Sequence, residues 1–200
     1  NSAFEQDQPE FVGHANLPKI LEVNQDSLIR GLTKDLGEDA IGSKIIPPTR
    51  IVEDTMDIDL GERILHLRTW PKAHTSTDLT VFDNKTNTLW TGDLLFISRT
   101  PSLDGDLKGW IRAIDALKTI NAQITVPGHG NPTEEKNVML DKQSAYLNLL
   151  LTDVRSSIKN GVTLMDAISR DGQSGKGDWL LFEAINRRNV NLAFPQLEWE

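Results

Sequence analysis

The sequence predicts a mixed β-sheet covered by helices on one face, an α/β or α+β arrangement. Three observations lead there. β-prone runs precede and alternate with amphipathic runs along the chain. Several of the β-prone runs are joined by short polar turns of the hairpin kind. The 200 residues, 38% of them apolar, suit a single domain, taken as 1–200, with a buried core.

The elements follow in order. Glu10 to His14 reads as a short strand closed by a turn. Leu17 to Leu36 reads as a helix, because Leu17, Ile20, Leu21, Leu28, Leu32 and Leu36 recur at helical spacing and Gly37 can stop it. Gly42 to Arg50, with Pro47-Pro48, reads as a linker or extended arm. Met56, Ile58 and Leu60 alternate with acids, and Leu65 and Leu67 with polar residues, which predicts two strands about a turn at Leu60-Gly61-Glu62. Leu79 to Asp83 and Thr88 to Thr91 flank Asn84-Lys85-Thr86-Asn87 as a second hairpin. Leu107 to Ile120 is an amphipathic helix, and Ile124 to Val126 a short buried strand running into Pro127-Gly128-His129-Gly130. A helix of some 25 residues then runs to about Lys159, with Thr133 as its expected N-cap. Further helices are expected to begin at Thr163-Leu164 and Asp178-Trp179, separated by a flexible polar loop from Gly172 to Gly177.

Composition excludes several classes of function. Asp and Glu number 29 against 21 Lys and Arg, a net charge of −8, which opposes nucleic-acid binding. No apolar run nears the roughly 20 residues of a membrane helix. The absence of cysteine removes disulfides, thiolate metal ligands and thiol nucleophiles. Asn1 to Asp7 has neither the basic nor the apolar segment of a signal peptide, and no initiator Met precedes it.

Chemistry concentrates around two of the four histidines. His74 lies in the loop Trp70 to Asp78, before a strand. His129 sits between Gly128 and Gly130 after a buried strand, and Asp93 closes the run Trp90-Thr91-Gly92-Asp93. All three fall at strand ends or loops, where metal-binding and catalytic groups tend to sit. Zinc accepts neutral imidazole and carboxylate, although such sites also take iron or manganese. Alone, His74 reads more readily as a loop hydrogen-bonder than as a ligand, and His129 only slightly less so because of its glycine neighbours. His66 in its alternating strand and His14 at a strand end read as structural. Trp110 could line a cleft or fill the core. Asp104-Gly105 reads as a turn, and Asp54, Asp57 and Asp59 as a solvated strand face lacking the pattern of a calcium loop.

Taken together, His74-Thr75-x-x-Asp78, Gly92-Asp93 and Pro127-Gly128-His129-Gly130 resemble, in order and spacing, the three later motifs of the metallo-β-lactamase superfamily of zinc hydrolases. Ala73 to Gly130, with Leu103-Asp104-Gly105 and Gly109-Trp110, looks most like a bacterial subgroup, the quinoprotein relay system zinc metallohydrolases. The resemblance implies the C-terminal half of an αββα sandwich. It implies His74 as a zinc-1 ligand, Asp93 as the bridging carboxylate and His129 as a zinc-2 ligand. Thr75, Asp78 and Gly128 would support those ligands, Asp78 by orienting a histidine; capping its own turn explains Asp78 equally well. The implied reaction is attack of metal-bound hydroxide on an ester, thioester, amide or phosphoester of a small molecule. Periplasmic export is implied by the subgroup alone.

One departure is large. The family's earlier His-x-His-x-Asp-His motif is absent, and no His-x-His pair occurs anywhere. The sequence is therefore expected to be the C-terminal part of a longer enzyme. Three ligands split between two sites predict weak or absent zinc and negligible hydrolysis. The alternative is a non-catalytic binding or assembly module, dimerising through an uncovered sheet face.

Overall fold

Two units make up the chain in the computed structural model, which describes residues 2–200: one ends at Asp54 and the other runs from Thr55 to Glu200.

In the first unit, β1 (Val12–His14) pairs in parallel with β2 (Arg50–Val52), joining Val12 to Arg50 and His14 to Val52. Between them lies α1 (Leu17–Leu36), over the span its apolar spacing predicts. Proline in its first turn suits the missing N–H donor, and Gly37 at φ 58° ends it by donating to the Thr33 carbonyl. The His14 imidazole Nδ1 accepts from the Asn16 N–H at 2.9 Å, a local structural role.

The second unit is built on a five-stranded mixed sheet in simple sequence order: β3 (Thr55–Asp59), β4 (Ile64–Thr69), β5 (Leu79–Asp83), β6 (Thr88–Phe96) and β7 (Ile124–His129). The first three pairings are antiparallel and β6–β7 is parallel. Gly61, at φ 93°, makes the first hairpin turn, and its N–H donates to Asp59 Oδ1. At the second hairpin the Asp83 carboxylate accepts from the Lys85 N–H and the Thr86 hydroxyl.

The parallel β6–β7 pair needs a crossover, and α2 (Leu107–Lys118) supplies it. Asp106 caps that helix by accepting from the Gly109 N–H. Three helices follow: α3 (Lys136–Lys159), α4 (Leu164–Arg170) and α5 (Phe182–Leu197). Helices α2 and α3 pack on β6 and on each other, and α5 packs on α3. Trp110, Phe96, Leu94, Leu95 and Leu140 form the centre of the core, each at most 1% exposed.

Buried amides fix the end of β6. Gln143 on α3 accepts from the Phe96 N–H and donates to the Leu94 carbonyl, both at 2.8 Å. Asn189 on α5 accepts from the Leu103 N–H and donates to the Pro101 carbonyl. Each satisfies backbone groups that water cannot reach.

Several expected boundaries shift. Strand β6 continues beyond Asp93 to Phe96, because its parallel pairing resumes at Phe96–His129 after a register irregularity. His129 accordingly ends β7 itself. Thr133 does not cap α3, which starts at Lys136. Instead Thr133 is paired to Thr125 through two backbone hydrogen bonds, with its hydroxyl accepting from the Glu135 N–H. Asp178 does not begin α5. Leu180 bridges to Arg99, donating to the Ser98 carbonyl and accepting from Thr100, which delays the helix to Phe182. The 172–177 loop contains a 3-10 turn, Gln173–Gly175, anchored where the Gly172 N–H donates to Asp153.

Candidate metal centre

Asp93 and His129 stand side by side near the C-terminal ends of the two parallel strands, the edge at which open α/β sheets bind ligands. Asp93 Oδ1 lies 3.6 Å from His129 Nε2, too far for a hydrogen bond. Two donors bound at about 2.0–2.1 Å to one tetrahedral ion stand about 3.4 Å apart, so this spacing fits a shared metal. Both side chains are a little over one-third exposed, leaving the pair open to solvent.

Glycine makes that approach possible. A Cβ at Gly128 would overlap Asp93 Oδ1 and stand 2.8 Å from the Asp93 backbone nitrogen. Gly130, at φ 104°, lets the chain turn against Ile97, whose N–H donates to the His129 carbonyl at 2.8 Å.

His74 is held differently. Its loop is pinned from both sides. The Trp70 N–H donates to the Asp78 carbonyl, while the N–H groups of Asp104 and Asp106 donate to the carbonyls of His74 and Ala73. Gly105 and Gly109 permit this contact, since a Cβ at either would strike the 72–74 backbone. The imidazole is only 6% exposed and edges onto Trp110 at 5.1 Å between centroids. Its Nδ1 lies 3.6 Å from the Asp78 carboxylate, and its Nε2 lies 3.9 Å from Asp104. Asp78 caps its own turn, accepting from the N–H and hydroxyl of Thr75, and faces His74 without a hydrogen bond to it.

One ring connects the two halves. Phe96 packs against His129 at 4.6 Å and against His74 at 5.6 Å. The structure thus brings Asp93 and His129 to one point and puts His74 across Phe96 from them. Among the described residues no group of three or more His, Asp or Glu is arranged to hold a metal ion. The donor types fit zinc; the number gathered at one point does not complete a centre.

Two residues enter that the sequence did not single out for a role here. Asp104 faces His74 and is paired with Arg188 of α5. Its Asp-Gly context reads only as a turn. Phe96 lies inside an apolar run that gives no sign of its two imidazole contacts. Elsewhere, His66 Nδ1 pairs with Asp57 at 2.7 Å, and Trp110 is wholly buried, donating to the Leu94 carbonyl. Both are structural.

The family model of the metallo-beta-lactamase superfamily matches residues 9–129, ending on His129. The chain belongs to the metallo-beta-lactamase superfamily. Solved structures agree on the fold. A metallo-beta-lactamase from Pontibacter korlensis is 20% identical with a TM-score of 0.53, over 74% of this chain and 61% of its own. A metallo-beta-lactamase family protein from Thermus thermophilus gives 14% and 0.62, over 90% and 64%. A stereoselective inverting sec-alkylsulfatase from Pseudomonas sp. gives 15% and 0.67, over 96% and 37%. The chain therefore spans less than two thirds of the length of these three proteins. No curated protein matches its sequence.

Proposed function

We propose that this superfamily member serves a zinc-dependent hydrolase acting on a small-molecule ester, thioester, amide or phosphoester, with Asp93, His129 and His74 as its share of the metal ligands. The observation that carries the reading is the 3.6 Å approach of Asp93 Oδ1 to His129 Nε2, unbridged by a hydrogen bond and unlocked by the glycine at 128. Zinc, when bound, supplies Lewis acidity that activates water and polarises the bond under attack. The chain's own residues set the stage. Asp93 and His129 present oxygen and nitrogen donors on one sheet edge. Asp78 lies beside Nδ1 of His74, the position that partners of metal-ligating histidines take, and Nε2 is the nitrogen left to the metal. Phe96 shields the inner side of His129 from water.

A chelator-competition titration with zinc tests the reading. The chain should bind zinc weakly, and Asp93→Ala or His129→Ala should each weaken binding by at least about tenfold. Unchanged affinity in the double variant would refute the assignment.

A further inference from the structure

A cavity of about 780 Å³ lies where the end of β6 meets α3 and the 174–179 segment. Its walls are apolar, formed by Phe96, Ile97, Met139, Tyr146, Leu149 and Trp179. The Tyr146 hydroxyl is engaged by Asn186 and Asn189 at 3.0 and 2.9 Å, so the ring is what this residue can offer a ligand. Pockets of roughly 300–1,000 Å³ with apolar walls and a few polar groups are the usual form of a small-molecule site.

Three further features single this cavity out. Phe96 belongs both to its wall and to the packing of His129, so the cavity reaches the candidate metal pair through one residue. Its lining holds one cation, Lys142, and one anion, Asp178, and among the described residues neither has an ion-pair or hydrogen-bond partner. Its lining includes one left-handed non-glycine residue, Ser98 at φ 63°, whose carbonyl accepts from the Leu180 N–H. Backbone strain of this kind concentrates at ligand clamps.

We infer that this cavity binds the substrate, and that the substrate is a zwitterionic, dipeptide-sized amide with apolar side chains. The side chains fill the walls, the ammonium faces Asp178 and the carboxylate faces Lys142. The inference rests on the hydrolase reading above. Hydrolysis of such an amide would consume one water and break the C–N bond. The acyl carbon gains the hydroxyl and the amine leaves with the proton.

Isothermal titration calorimetry on the whole chain tests it with four probes: leucyl-phenylalanine, its N-acetyl form, its C-terminal amide, and the doubly capped compound. The zwitterion should bind roughly threefold tighter than either singly capped probe and roughly tenfold tighter than the doubly capped one, as expected of two partly exposed ion pairs. Lys142→Ala should erase only the advantage over the amide, and Asp178→Asn only the advantage over the acetylated probe. Ala145→Trp, at an exposed lining position of α3, should abolish binding of all four. Equal affinities for the four probes, or unchanged binding in Ala145→Trp, would overturn the proposal. Binding needs no turnover. A positive probe series with zinc affinity unchanged in the Asp93→Ala, His129→Ala double variant defeats the hydrolase reading alone, and loss of zinc affinity in that variant with a flat series defeats the pocket alone.

Discussion

Replacing Gly128 by alanine tests the local geometry on which the metal pair depends. The added Cβ would stand 2.7 Å from the Gly92 carbonyl carbon and 2.8 Å from the Asp93 nitrogen, and would overlap Asp93 Oδ1. The first two are backbone atoms of β6, held in register with β7 through Gly92–Pro127, and cannot swing aside. The carboxylate can move, but only by leaving His129. Overpacking of this kind costs typically about 1–3 kcal/mol. At about 2 kcal/mol, the melting temperature of a domain this size should fall by roughly 4–8 °C. Scanning calorimetry measures the fall, and a double-mutant cycle identifies its source. Asp93→Ala removes the overlapped oxygen and leaves both backbone contacts, so it should relieve part of the Gly128→Ala penalty, with a coupling of about 0.5 kcal/mol or more. A melting point within about 1 °C of wild type, together with an additive cycle, would refute the close packing of β6 on β7 at this site.

Three further outcomes follow from other parts of the chain. Burial pushes the Asp83 carboxyl up, but hydrogen bonds from Arg63, Thr86 and the Lys85 N–H, together with the Arg63 charge, bring it down to about 2. A carboxylate lowered from 3.8 contributes stability above that value and loses it as pH falls through about 2. Asp83→Asn should therefore flatten the loss of stability between those pH values in urea titrations, and an unchanged acid slope would contradict the assignment. Asn189→Ala strands the buried Leu103 N–H and Pro101 carbonyl and should cost about 3 kcal/mol in denaturant unfolding; a loss under about 1 would show that neighbours re-satisfy them. Gly31→Ala, mid-helix in α1 with nothing within 4 Å of the new Cβ, should stabilise the first unit by about 0.5–1 kcal/mol, read by hydrogen exchange across α1.

The elements that were legible in the sequence are those whose signals are local. The apolar spacing from Leu17 to Leu36 and the stop at Gly37 give α1 end to end, because both act within a few residues. The alternations at Met56–Leu60 and Leu65–Leu67 give a hairpin for the same reason. The errors fall where a distant partner outweighs local preference. Thr133 has the chemistry of an N-cap, yet pairing with Thr125 captures its backbone, and α3 starts three residues later. Asp178 offers a similar start, yet the Leu180 bridge to Arg99, some eighty residues away, holds the chain extended until Phe182. Neither competitor has a signature within reach of a sequence window.

The candidate site divides along the same line. Asp93 and His129 come together on a parallel strand pair, at the register irregularity between Gly92–Pro127 and Phe96–His129; the pair and its helical crossover are readable from hydrophobic pattern, the irregularity is not. The glycine at 128 marks the spot, since a side chain there would exclude Asp93. His74 depends instead on how deeply its loop settles into the core. That depth is set by Gly105 and Gly109 beneath it, by Trp110 at its edge, and by the ring of Phe96 beyond. Side-chain packing has no period to read. The same ring that parts His74 from Asp93 and His129 also forms a wall of the adjoining cavity, so whatever fills that cavity bears on Phe96 and through it on both imidazoles. If the proposed ligand fills that cavity, its recognition and the placement of both histidines share one buried aromatic residue, and Phe96→Ala should disturb both.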